Sequence, residues 1–151
     1  MSWCAGLPAP LAQSKPTTRS VVGGPIWMTP ALDPQTGTIF LSTGNPAEQL
    51  IGTYQPGANL YTDSIVALDA KTGKMQWYYQ QTPHDLWDYD AVSPPLLFDA
   101  ADARGRMVPA VGEAGKTGWF YIVRRSDGRL LRVSDPFVPI SNIYARPTAG
   151  A

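Results

Sequence analysis

Two turns of one form, Asp33-Pro34-Gln35-Thr36-Gly37 and Asp69-Ala70-Lys71-Thr72-Gly73, stand 36 residues apart and share the pattern D-x-x-T-G. In each, the aspartate can accept bonds from nearby backbone and the glycine can take a positive φ, which is what a tight hairpin needs. Arg125-Ser126-Asp127-Gly128 is a third, degenerate version. The 15 prolines and 14 glycines cut the chain into short pieces, and apolar residues almost nowhere recur with helical period. Strands are expected at 38–43, 63–68, 74–80, 107–111, 118–124 and 129–133, all rich in β-branched or aromatic residues. The fold class that follows is all-β.

A repeat of this length built from hairpins is the pattern of propeller blades, small antiparallel sheets that pack on their neighbours. Trp77, at the end of the run that begins with the second turn, is a large apolar plug suited to docking on an adjacent blade. At roughly 40 to 50 residues per blade, 151 residues supply about three, whereas a closed ring needs at least four. The chain is therefore expected to be part of a larger propeller, completed by missing blades or by a partner chain. Residues 1–22, interrupted by Pro8, Pro10 and Pro16, are expected to be an irregular N-terminal arm, and residues 23–151 the partial propeller.

Twelve basic and twelve acidic side chains cancel, which removes the electrostatic argument for a nucleic-acid or anionic-membrane partner. No apolar run approaches the roughly 18 residues of a spanning helix. The start of the chain lacks a basic segment followed by an apolar core, so no secretion signal is read there. A single cysteine, Cys4, excludes an internal disulfide and thiolate metal clusters.

Chemistry concentrates in Thr82-Pro83-His84-Asp85-Leu86-Trp87-Asp88-Tyr89-Asp90, where three carboxylates and the one histidine fall within nine residues. Trp77-Tyr78-Tyr79 precedes it and an apolar Leu96-Leu97-Phe98 run follows, which argues for an extended segment. On that reading Asp88 and Asp90 share a face, and paired carboxylates repel unless a cation or a proton lies between them. A hard metal ion fits that need. His84 by itself is more simply structural. Taken on their own, Trp27 is also readable as a packing tryptophan, Asn45 as a turn residue, Asp88 as a corner aspartate and Lys116 as a surface lysine. Lys116 does not belong to a phosphate-binding loop, because the spaced upstream glycine and the following helix are both missing.

Four features in order, Trp27 in Gly24-Pro25-Ile26-Trp27, Ser42-Thr43-Gly44-Asn45-Pro46, the 82–90 cluster, and Gly115-Lys116-Thr117-Gly118 before an aromatic strand, resemble the central portion of the quinoprotein dehydrogenases. These are the alcohol, methanol and glucose dehydrogenases that depend on pyrroloquinoline quinone (PQQ), and the likeness runs over residues 23–137. It implies an eight-bladed propeller holding PQQ and a metal ion near its axis. It implies further that Trp27 stacks on the quinone, that Asn45, Asp88 and Asp90 serve a metal, that Asp88 is the general base, and that Lys116 hydrogen-bonds the reactive quinone oxygens. The metal would be Ca²⁺, with Asp90 also matching lanthanide-dependent relatives and some sugar dehydrogenases. The substrate would be a small alcohol, sugar or polyol oxidised by hydride transfer, and the location periplasmic. Without a Cys-x-x-Cys-His haem site, electrons would pass to an external acceptor. A noncatalytic propeller scaffold, similar to outer-membrane assembly proteins, and an inactive truncated remnant are the alternatives.

Overall fold

A computed structural model of the chain describes residues 23–46, 52, 56–139 and 147. The arm expected at 1–22, with Cys4, lies outside the described residues. Eight strands form two four-stranded antiparallel sheets, each a plain meander. The first sheet holds β1 (Ala31–Asp33), β2 (Thr38–Ser42), β3 (Ser64–Asp69) and β4 (Met75–Gln80). The second holds β5 (Leu96–Ala101), β6 (Met107–Ala114), β7 (Phe120–Arg124) and β8 (Leu130–Val133). The six expected strands are all present, and β1 and β5 complete the sheets. The described residues thus contain two blades; the figure of about three came from dividing the whole length and so counted residues outside them.

The turns do what their sequence suggests. Gly37, Gly73 and Gly128 have φ of 66°, 68° and 70°, and each donates its N–H to the carbonyl four residues back, of Asp33, Asp69 and Arg124. Asp69 Oδ1 accepts from the N–H groups of Lys71 and Thr72 and from the Thr72 hydroxyl. Yet the two D-x-x-T-G turns lie in one sheet, joining β1 to β2 and β3 to β4. Their 36-residue offset is therefore the spacing of hairpins within a blade, not of successive blades. The blade-to-blade equivalents are the turn at Asp102–Gly105 between β5 and β6, and the turn at Arg125–Gly128 between β7 and β8. A register shift at Ala67/Leu68 in the β3–β4 pair recurs at Ile122/Val123 in the β7–β8 pair.

The two sheets share one core. Phe40, Ile65 and Ala67 of the first pack with Val111, Trp119, Tyr121, Val123 and Val133 of the second, and Tyr79 meets Tyr121 with ring centroids 5.9 Å apart. Trp77 crosses between sheets as expected: its indole N–H donates to Arg125 O at 3.0 Å, and its ring lies so close to Gly128 that a Cβ there would stand 2.6 Å from Cε3. Nearby, the part-buried Arg125 guanidinium reaches Asp33 Oδ2 at 3.2 Å and the carbonyls of Phe98 and Ala110.

Because the strands alternate in direction, the connections alternate between two rims. Tight hairpins occupy one rim. The opposite rim carries the segment before β1, the long connections β2–β3 and β4–β5, and the short β6–β7 turn, where backbone not committed to sheet can present side chains.

Candidate functional site

Every residue proposed from sequence falls on this second rim. The segment before β1 is pinned against the end of β2: Gly23 pairs with Pro46 in an isolated bridge, Gly24 N donates to Asn45 O at 2.9 Å and Gly44 N to Pro25 O at 2.8 Å. That pairing lays Trp27 over Gly44. A Cβ on Gly44 would meet Trp27 Cη2 at 2.6 Å and Asp90 Oδ1 at 2.7 Å, so glycine is what lets the indole and the carboxylate approach the same point. Trp27 remains 54% exposed, leaving much of the ring open.

The β4–β5 connection is not extended. Asp88 has φ 69° and His84 φ 53°, both in the left-handed region, so the pleat argument for Asp88 and Asp90 does not hold. Their convergence comes from a turn built by Asp85, which is 1% exposed and accepts from Trp87 N at 2.9 Å through Oδ1 and from Tyr89 N at 2.7 Å through Oδ2. His84 is held by the chain before β3, with Nδ1 2.8 Å from Gly57 O and its backbone N–H donated to Ala58 O.

Lys116, in the β6–β7 turn, closes the site. Its Nζ lies 2.5 Å from Asp90 Oδ2 and 3.1 Å from Asp88 Oδ2, while its backbone N–H donates to Asp90 O at 3.2 Å. Asp90 Oδ1 accepts from Asn45 N at 2.6 Å. The Asn45 amide donates Nδ2 to Pro46 O at 3.1 Å, leaving Oδ1 as its acceptor end. One ammonium between two carboxylates resolves the repulsion inferred from sequence. Partial burial works against the Lys116 charge, but the hydrogen bonds it donates to Asp90 and Asp88 outweigh it and raise the amine above its usual range. Burial likewise opposes the Asp90 charge, and the bonds from Lys116 and Asn45 N overcome it, holding Asp90 below the usual carboxylate range. Asp88 differs: its side chain is 48% exposed against 4% for Asp90, so it can meet a molecule arriving from solvent.

Behind the rim lies a polar layer that sequence reading passed over. Glu113 of β6 is fully buried; Oε1 accepts from Ser93 N at 2.8 Å and Oε2 from Gln81 Nε2. Asp63, just before β3, is also fully buried, and neither of its carboxylate oxygens has a hydrogen-bond partner among the described residues. Burial first, then the charge of Asp85, pushes Asp63 up to about 8, and the charges of Asp90 and Asp88 add to the rise. Burial pushes Glu113 up to about 7 against the bonds from Gln81, Ser93 and Val92. The sequence signal for Glu113 was a lone acid inside the apolar run of β6, where a charge persists only if it is bonded.

The donors present suit one side of a cofactor and metal site. Asn45 Oδ1, Asp88 and Asp90 are hard oxygens of the type Ca²⁺ takes, and the exposed Trp27 face beside Gly44 is a flat apolar platform. Among the described residues no three His, Cys, Asp or Glu side chains are grouped to hold a metal by themselves. The set is therefore two carboxylates with an amide, and it would need further ligands.

Residues 5–148 match the family model for the PQQ glucose/ethanol/alcohol dehydrogenase β-propeller domain, a stretch wider than the 23–137 inferred from motifs. The quinoprotein alcohol dehydrogenase PedH of Pseudomonas putida is 39% identical over 141 residues, covering 84% of this chain and 23% of that protein. The crystal structure of quinohemoprotein alcohol dehydrogenase from Comamonas testosteroni superposes with a TM-score of 0.72 at 38% identity, over 78% of this chain and 18% of that one. A europium-containing methanol dehydrogenase gives 0.71 at 32% identity, over 78% of this chain and 20% of its own. The chain thus spans about a fifth of the length of the relatives it matches. Sequence and two-blade architecture agree: this chain belongs to the PQQ-dependent quinoprotein alcohol dehydrogenase family, as part of its larger propeller.

Proposed function

We propose that this chain supplies the base and polarising side of a PQQ-dependent dehydrogenase site that oxidises an alcohol, sugar or polyol, with a bound metal ion. The single observation that carries the reading is the convergence of Asp88 and Asp90 on the Lys116 ammonium beside Trp27 and Asn45. PQQ, when bound, supplies a two-electron acceptor for the hydride of the substrate carbinol carbon. The protein's part is binding, orientation and proton handling. Trp27 offers its open ring face for stacking. Asn45, Asp88 and Asp90 offer oxygens to Ca²⁺, or to a lanthanide, whose higher charge gains more from two carboxylates. The exposed Asp88 carboxylate would accept the substrate hydroxyl proton, a role worth roughly 10² to 10⁴ in rate. Lys116, kept cationic by Asp90, can donate a hydrogen bond to an electron-rich oxygen at the site.

Residues 23–151 would then be a partial propeller whose remaining blades, in a longer chain or a partner, complete the ligand set. Electrons would leave to an external acceptor, and the location would be periplasmic, as for the family. A scaffold would need the Trp77 docking but not a lysine shared by two carboxylates on the open rim.

The test is titration of the 151-residue chain with PQQ, with Ca²⁺ or La³⁺ present, followed by tryptophan fluorescence. Saturable, metal-dependent quenching supports a usable half-site and leads to a dye-coupled alcohol oxidation assay. Absence of quenching in the folded chain would refute an autonomous half-site.

A further inference from the structure

We infer that Glu113 is a positioning residue: its buried carboxyl clasps both ends of the loop that carries Asp88 and Asp90, and so sets where those carboxylates meet Lys116. The loop leaves β4 at Gln81 and approaches β5 at Val92 and Ser93. Glu113 Oε2 accepts from the Gln81 side chain at the first end, and Oε1 from Ser93 N at the second, where Val92 N–H also contributes. A further bond runs the other way, from Ser93 Oγ to Ala114 O at 2.8 Å. The clasp is on β6, three residues before Lys116, whose N–H donates to Asp90 O. One carboxyl thereby joins the connection bearing the acids to the strand that leads into the lysine. Glu113 is fully buried, and its carboxyl is bonded at Gln81 and Ser93, the two ends of the loop, so it acts through the loop. Catalytic importance rests on the function proposed above, whereas the clasp itself does not.

Hydrogen exchange of backbone amides, read by mass spectrometry on the whole chain, tests the clasp without PQQ. In Glu113→Ala, peptides covering 82–93 should exchange about tenfold faster or more, equivalent to roughly 1.4 kcal/mol of lost closure. Peptides from β2 and β3 should keep wild-type rates. Glu113→Gln should restore wild-type exchange, because its carbonyl can accept from Ser93 N and, once the Gln81 amide turns over, its amide can donate to Gln81 Oε1, which is buried and unpartnered among the described residues. Gln81→Met cuts only one end of the clasp and should also accelerate 82–93, which decides the matter if Glu113→Ala does not fold. Unchanged loop exchange in folded variants would overturn the inference. So would Glu113→Gln exchanging as fast as Glu113→Ala, or acceleration spread evenly over both sheets. PQQ titration of the same proteins reads the functional proposal separately: weaker quenching in Glu113→Ala with wild-type quenching in Glu113→Gln supports both, while no quenching in any protein counts against the proposal and leaves the exchange result to decide the clasp.

Discussion

Replacing Gly44 by alanine separates platform geometry from fold stability. The backbone at Gly44 does not need glycine's positive φ, so the whole effect comes from the added methyl. That methyl would stand 2.6 Å from Trp27 Cη2, where carbon pairs settle at about 3.5–4.0 Å, so something must retreat by about 1 Å. Asp90 is held on two sides, by Asn45 N at 2.6 Å and Lys116 Nζ at 2.5 Å, and its side chain is 4% exposed. Trp27 is 54% exposed and free to swing outward. The ring should yield first, but Asp90 Oδ1, held 2.7 Å from the methyl, must give as well, so the stability loss should fall within the roughly 1–3 kcal/mol usual for overpacking and not at its low end. Displacing an aromatic platform should cost ligand stacking about 0.5–1.5 kcal/mol, up to about tenfold in affinity. The assay pairs a thermal melt with PQQ titration in the presence of Ca²⁺ or La³⁺. An unchanged Kd in a folded Gly44→Ala protein would refute Trp27 as the platform, and a loss well above about 3 kcal/mol would refute the claim that Trp27 is the group that moves.

Asp88→Asn, in a full-length context, should abolish turnover while PQQ remains bound; retained turnover would mean the base lies elsewhere. Asp63, with its folded pKa of about 8 above the ordinary 3.8, binds a proton more tightly when folded, so its contribution is complete below about pH 4 and is lost as pH rises through 8. Melting temperature should therefore fall from pH 5 to pH 8, and Asp63→Asn should flatten the curve and stabilise by about 1–3 kcal/mol at pH 8. A wild-type curve flat over that range would contradict this. Trp77→Ala removes the plug on Gly128 and the bond to Arg125 O; urea unfolding should show a loss of about 3–5 kcal/mol, and a loss under about 1 kcal/mol would mean the sheets do not depend on that docking.

The all-β class, the hairpins and the docking tryptophan were legible because each is local: a turn needs its own aspartate and glycine, and an indole declares its size. Asp63, Gln81 and Glu113 were not, because a buried polar layer is defined by partners brought from distant strands. Asp88 and Asp90 were paired for the wrong reason, since alternation along a strand has no force in a loop turned by Asp85 and by a left-handed Asp88.

The rim constellation follows from strand counting once all eight strands are counted. In an antiparallel meander each strand returns the chain to the opposite rim, so positions separated by an even number of strands share a rim. Trp27 precedes β1, Asn45 follows β2, Asp88 and Asp90 follow β4, and Lys116 follows β6, which places all five together. Counting only the six strands that β propensity picks out leaves one strand, 107–111, between the acids and Lys116, which puts them on opposite rims. The strand that restores the parity is β5, Leu-Leu-Phe-Asp-Ala-Ala, whose aspartate and alanines are weak strand formers and whose Leu96 is 56% exposed. It is held by six paired residues on β6 rather than by its own preference. The lysine reaches the two acids because a strand of poor local propensity is recruited by its neighbour, and the three-residue β1, also outside the six, restores the parity of Trp27 and Asn45 in the same way; a propensity reading fails at those two elements while remaining right about the class.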